Sequence, residues 1–180
     1  VLVLEYLNGK NYSETLSKKA LTELKKLVAL NSGEDLYPIN KAVYGALRYG
    51  IKVREEAGEN YQTVALINWE KPSENNFYVA EEVTIRGEKV KRPDLVLYVN
   101  GIALGVLELK RASVSVSEGI RQNLDNQQHR FIKPFFTTIQ AVLAGNDSQG
   151  LYYGTTKTSE KYFLKWKEDN YTYKPGTNLL

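Results

Sequence analysis

One α/β domain over residues 1–180, built as a mixed β-sheet flanked by helices, is the fold class that the sequence predicts, and three observations carry it. Helical periodicity occupies two stretches within the first fifty residues. Segments rich in β-branched and aromatic residues then take over, and one capped helix interrupts them after Ser115. With 180 residues, 42% of them hydrophobic and 25% charged, the chain can bury one real core and carry an appended segment. The core is read over about 40–167 and a helical segment over about 1–35.

Leu16, Ala20, Leu24 and Leu27 recur at helical spacing within Ser13–Leu30, and Lys18, Lys19, Lys25 and Lys26 occupy the rest of the wheel, so an amphipathic helix is expected. A second helix is expected from Asn40, a candidate N-cap, through Val43 and Leu47 to Gly50, ahead of a strand at Lys52–Glu55. Tyr61–Trp69 and Phe77–Ile85 read as strands separated by the polar loop EKPSENN. A hairpin over 94–109 follows. Ser115 and Glu118 form a candidate capping box for a helix over about 116–131, closed before Pro134. Ile139–Ala144 and Leu151–Thr155 return to strand across the turn GNDSQG. Neither a repeat nor a G-x-x-x-x-G-K-[ST] phosphate loop occurs, so these residues carry no motor of their own.

Composition excludes several chemistries. Zero Cys rules out disulfides, Cys-ligated zinc and thiol nucleophiles, and the one histidine, His129, cannot build a His-rich metal site, so any metal would be held by oxygen. No stretch approaches the ~20 apolar residues of a membrane span, and VLVLEYLNGK lacks the flanks of a signal peptide, which predicts a soluble, intracellular protein. The absence of Met, an initiator included, points to a fragment or a processed chain, with a partner domain left open.

The net charge of +3 is modest, but its distribution is uneven. Residues 1–85 carry 10 Lys and Arg against 12 Asp and Glu, residues 86–133 carry 9 against 5, and residues 134–180 carry 5 against 4. The positive excess surrounds the hairpin. A polyanion site requires this, because each cation near a phosphate displaces condensed counterions; an ordinary solvated surface is the other reading.

The hairpin RPDLVLYVNGIALGVLELKR, residues 92–111, places Asp94 before one apolar run and closes the next with Glu108, Leu109 and Lys110. Alternation along a strand points Glu108 and Lys110 to one face. If Asn100-Gly101 made a two-residue turn, Asp94 would share a face with Leu107 rather than Glu108. A three-residue loop, Val99-Asn100-Gly101, with Gly101 left-handed in a bulge, sets Asp94 opposite Val106 and diagonal to Glu108. Diagonal neighbours lie about 7–8 Å apart at the backbone, close enough for two carboxylates to converge on one hard cation at about 2.1 Å. Such a pair, helped by the Leu109 carbonyl, suits Mg²⁺-assisted hydrolysis, with Lys110 orienting the attacking water. A salt-bridged strand end has the same composition.

Pro93-Asp94 followed by Glu108-Leu109-Lys110 resembles the PD-(D/E)xK nuclease core, and the whole stretch 92–111 resembles the N-terminal nuclease domain of type I restriction enzyme R (HsdR) subunits. EGIRQNLDNQ sits where that family has a helix beginning with a glutamine motif. LYYGTTKTSEKYFLKWK resembles its glycine-threonine segment and later aromatic-Trp-Lys, and NKAVYGALRYGIKV its helix before the first strand, so coverage is roughly Asn40–Lys167. The resemblance implies a restriction-endonuclease-like fold, Asp94, Glu108 and the Leu109 carbonyl as Mg²⁺ ligands, Lys110 as catalytic lysine and Gln122 as a supporting catalytic residue. Arg92, Arg111, Arg121 and Lys157 are the candidate DNA-contacting cations. It further implies non-specific cleavage of double-stranded DNA after ATP-driven translocation by a separate motor domain of the same subunit, ATP being used by the full-length enzyme and not bound by this fragment. Modification and specificity subunits would complete the complex in a bacterial or archaeal cytoplasm.

Two features depart from or leave open the family pattern. Asn126 stands where the glutamine motif commonly has a tyrosine, and Glu14 and Glu23 are both available as the acid that the superfamily often adds from its first helix. A stand-alone resolvase or repair nuclease shares the expected fold, and a non-catalytic docking domain is the alternative of a different class.

Overall fold

The computed structural model describes residues 2–31 and 33–167. Its elements run α1 (Leu2–Asn8), α2 (Glu14–Val28), α3 (Leu36–Tyr49), β1 (Ile51–Val53), β2 (Gln62–Val64), β3 (Phe77–Glu81), β4 (Ile85–Arg86), β5 (Val90–Lys91), β6 (Leu95–Val99), β7 (Ile102–Leu109), α4 (Val116–Asn126), β8 (Ala141–Asn146), β9 (Gly150–Gly154) and β10 (Leu164–Lys165).

Helix α2 forms where its apolar spacing places it. Ser13 caps it by accepting from the Leu16 N–H, and Leu16, Ala20 and Leu24 are buried on one face while the lysines stay in water. Helix α3 starts earlier than expected, capped by Asp35. Asn40 is therefore an interior residue rather than a cap: its buried amide donates to the carbonyls of Phe136, Thr137 and Ile139 and ties α3 to the segment before β8. Gly50, at φ 76°, closes α3 as expected. In α4, Ser115 caps through the Ser117 N–H, but the Glu118 side chain turns to Arg121 instead of completing a capping box. The helix ends at Asn126, five residues short of expectation, because the chain folds back in turns that bring the Ile132 N–H to the Asn126 carbonyl.

Six strands form one mixed sheet in the order β10-β9-β8-β7-β6-β3. Only the β7–β8 pair is parallel, and α4 is the crossover that a parallel neighbour demands. Two cores sandwich the sheet. Ile102 belongs to one with residues of α1, α2, α3, β1 and β2, while Val106, Val142 and Ala144 belong to the other with Val116 and Ile120 of α4. The expected strand Tyr61–Trp69 shrinks to β2. Beyond it, the Leu66 carbonyl and Asn68 N–H are taken by the side chains of Asn100 and Asn75 rather than by a strand. The second expected strand divides into β3 and the short β4, which pairs with β5.

The hairpin corrects the expected loop. Its register pairs Val99 with Ile102, so the turn is the two-residue Asn100-Gly101, with φ 52° and 82° at the two centres as a type I′ turn requires. The three-residue loop is absent because Asn100 is locked: buried, it accepts from the Asn76 N–H and donates to the Leu66 carbonyl and Asn75 Oδ1. The missing residue is supplied farther along. Tyr98 pairs with Ala103 but Leu97 pairs with Gly105, leaving Leu104 as the extra residue of a β-bulge. Ala103 and Val106, three apart, consequently pack into the same α4-side core, whereas Leu104 packs into the other. The bulge shifts the phase of β7, and its even-numbered residues beyond it face α4.

Candidate active site

Beyond the bulge Leu95 pairs with Leu107, and extending that register by one residue sets Asp94 across from Glu108, directly opposite rather than diagonal. Both ends of the arrangement are held by backbone. The Asp94 carbonyl accepts from the Glu82 N–H at 2.9 Å, and the Lys110 N–H donates to the Gly145 carbonyl at 2.9 Å, continuing the ladder past β7. Asp94 Oδ2 accepts from the Leu109 N–H at 2.7 Å, which fixes its carboxylate at the mouth of the strand pair.

Gln122 joins Glu108 of β7 to Lys110 just beyond its end. Its Nε2 donates to Glu108 Oε2 at 2.7 Å, and its Oε1 accepts from Lys110 Nζ at 2.7 Å. Lys110 Nζ itself stands 4.0 Å from Glu108 Oε2. Gly119, one turn earlier, favours this close approach: a Cβ there would come within 3.1 Å of the Ala144 Cβ, so a side chain would have to displace Ala144 or α4. The glutamine thus follows from the seating of the helix.

Glu108 is the strained member. Its side chain is 1% exposed, and Oε1 is buried with no hydrogen-bond partner among the described residues. Burial first, then the charge of Asp94, push its carboxyl up to about 7, against a smaller opposing pull from Lys110 and Lys91. An orphaned buried carboxylate oxygen costs on the order of 1–3 kcal/mol. One hard cation between Asp94 and Glu108 would satisfy that oxygen and cancel the repulsion together.

The donor set fits such an ion. Among the described residues no group of three or more His, Cys, Asp or Glu gathers, so the protein offers two carboxylates and a nearby backbone carbonyl, all oxygen. Mg²⁺ accepts this poverty of ligands because it keeps several of its waters. Glu14 and Glu23 stay with their own helix, paired to Lys18 and Lys26 on exposed positions of α2.

The four basic positions are placed differently. Arg92, two residues before Asp94, is exposed and 3.4 Å from Glu82. Arg111 follows Lys110, is exposed and makes no ion pair within 4.0 Å among the described residues. Arg121 is committed to acids, forked onto Glu160 at 3.0 Å through two nitrogens and bonded to Glu118 at 3.0 Å. Lys157 lies 4.0 Å from Asp35, and its N–H donates to Gln127. Asn126, at the tyrosine position of the glutamine motif, is buried with Oδ1 unpaired among the described residues. It offers no surface for stacking. Tyr153 packs edge-on against Trp166.

Sequence reasoning passed over Leu104, Gly119 and Lys91. Gly119 carries a legible signal, a glycine inside an otherwise helical pattern one turn before Gln122. The bulge residue has none, since Leu104 reads as ordinary strand.

Comparison with known proteins places the chain in a family. The family model described as type I restriction enzyme R protein N terminus matches residues 3–161. A type I restriction enzyme HindI endonuclease subunit of Haemophilus influenzae is 29% identical over 159 residues, covering 84% of this chain and 15% of that protein. A Methanocaldococcus jannaschii protein, provisionally described as the type I restriction enzyme MjaIXP endonuclease subunit, is 22% identical over 161 residues, covering 86% of this chain and 16% of its own length. The chain spans about one sixth of these relatives. With the family model running over nearly the whole sequence, including Asp94, Glu108, Lys110 and Gln122, the chain belongs to the family of type I restriction enzyme R protein N-terminal domains.

Proposed function

We propose that this domain is the Mg²⁺-dependent endonuclease of a type I restriction enzyme R subunit, hydrolysing phosphodiester bonds of double-stranded DNA without reading their sequence. The observation that carries the reading is the pairing of Asp94 with a buried, partner-short Glu108, both joined to Lys110 through Gln122 or the strand end. Asp94, Glu108 and the Leu109 carbonyl would hold the metal, which when bound supplies an acidified water and neutralises charge on a phosphoryl oxygen.

The protein's own groups do the rest. Gln122 accepts from Lys110 and donates to Glu108, so it holds the lysine beside the carboxylate pair without letting the two collapse into a direct short ion pair. Lys110 is only partly exposed, and with its ammonium held by Gln122 beside Glu108 it would hold the attacking water and favour loss of that water's proton. ATP-driven translocation belongs in this proposal to a motor domain elsewhere in the same subunit, and sequence recognition to modification and specificity subunits. The sizes of the relatives leave ample chain for a motor. No helix among the described residues is long and apolar enough to cross a membrane.

Titration with Mn²⁺ or Mg²⁺ by calorimetry tests the reading. The wild-type chain should bind and Asp94→Ala should not, because one of two carboxylates in a sparse oxygen site is gone. Equal titration curves would reduce the trio to a strand-end ion pair.

A further inference from the structure

A second cationic centre lies beside this site, and of the groups already described only Lys91 belongs to it. The β4–β5 hairpin packs against the turn after α4 so closely that a Cβ on Gly87 would collide with the Phe131 carbonyl, and the Glu88 N–H donates to that carbonyl at 3.0 Å. The two segments therefore hold each other. Around the half-buried Phe131 ring stand Lys91 Nζ at 4.1 Å, the Arg130 guanidinium carbon at 4.9 Å and Lys89 Nζ at 5.7 Å from the centroid.

Three cations on one ring lie within roughly a Debye length of each other, about 10 Å at 0.1 M salt, and repel. The ring face offsets part of that through cation–π attraction. Arg130 has an acid partner in Asp125 at 3.8 Å, while Lys89 and Lys91 make no ion pair within 4.0 Å among the described residues. The cluster is thus an anion site short of anions. It is also close to the chemistry, because Lys91, the last residue of β5, precedes Asp94 by three residues and its charge is felt at Glu108.

We propose that Lys89, Lys91 and Arg130, arrayed on Phe131, grip the phosphodiester backbone of duplex DNA next to the bond presented to Asp94 and Glu108. The proposal rests on the nuclease reading for its geometry, but it concerns binding and is tested by binding. A backbone anion fits better than a base. The ring is already covered by cations and has little face left for stacking, and the charges stand on two segments fixed to each other, as a clamp on a stiff polyanion needs.

The test is the salt dependence of binding to a fluorescent 30-base-pair duplex, in Ca²⁺ to hold off cleavage, with wild type, Lys89→Gln/Arg130→Gln, Asp94→Ala and a control, Lys25→Gln/Lys41→Gln, that removes the same charge from α2 and α3. For the clamp pair, the slope of log K against log salt should become shallower by about two, and affinity at 0.1 M salt should fall roughly tenfold or more. The control should keep the wild-type slope. Equal losses in the clamp and control pairs would show only bulk charge and overturn the proposal, as would a clamp pair that binds like wild type or a wild type that does not bind. Circular dichroism checks each fold, and the single variants Lys89→Gln and Arg130→Gln, each expected to lower the slope by about one, carry the test if the pair does not fold. Asp94→Ala separates the two ideas: if it and wild type both bind with the full slope yet neither wild type nor any complex cuts, the nuclease reading fails while the clamp stands.

Discussion

Replacing Glu108 by Gln should stabilise the metal-free domain at neutral and alkaline pH. Glu108 is buried, faces Asp94 and has its carboxyl pushed up from 4.5 to about 7. A carboxyl whose pKa is raised on folding binds its proton more tightly in the native state, so stability is fully present below the unfolded value and is lost as pH rises through the folded one. At about 1.4 kcal/mol per unit, the ionised side chain costs the native state about 3 kcal/mol by pH 8 and almost nothing at pH 4. Gln keeps an oxygen to accept from Gln122 and brings an amide that can face Asp94, so it imitates the protonated acid. Urea unfolding of wild type and Glu108→Gln without divalent cations, from pH 4 to 8, should show the difference growing from near zero to about 3 kcal/mol in favour of the variant. A constant difference across that window, or a variant less stable at pH 8, would refute the electrostatic account of the site.

Two further outcomes test the scaffold, and one the ligands. Asn100→Ala loses three side-chain hydrogen bonds and places alanine at φ 52°, so a destabilisation of about 2–4 kcal/mol is expected in denaturant unfolding; under 1 kcal/mol would mean the turn does not depend on that side chain. Gly119→Val should push α4 off Ala144, costing about 1–3 kcal/mol and weakening divalent-metal binding because Gln122 no longer reaches Glu108; retained affinity and stability would show that the close approach is dispensable. Asp94→Ala should lose metal affinity in calorimetry while melting close to wild type, since Asp94 is only half-buried.

The helices show why some of this fold was legible and some not. α2 announces itself because its stabilisation is local, a capping serine and an apolar stripe. α3 misleads at its start because Asn40 looks like a cap, yet its amide serves three carbonyls almost a hundred residues away, which no local pattern encodes. The stretch after β2 carries strand-forming residues, but buried asparagines claim its backbone instead. In the site, the residue types and their spacing around the hairpin could be read, and the structure brings Asp94, Glu108, Lys110 and Gln122 together. The route was misjudged, however. Asn100-Gly101 makes the two-residue turn its chemistry favours, and the parity that unites the acids comes from the bulge at Leu104, which depends on how β7 meets β6 and leaves no mark in composition. The elevated carboxyl of Glu108 was equally invisible, because burial is a property of the assembled sheet and α4.

The central claim is that Lys110 acts on the attacking water rather than merely neutralising a strand end. In the complete restriction complex, supplied with ATP and Mg²⁺, Lys110→Ala should abolish double-strand cleavage while ATP hydrolysis and translocation continue at close to wild-type rates, with the variant domain melting near the wild-type midpoint. Undiminished cleavage by that complex would contradict the account, and so would cleavage and ATP hydrolysis falling together with a lowered melting midpoint.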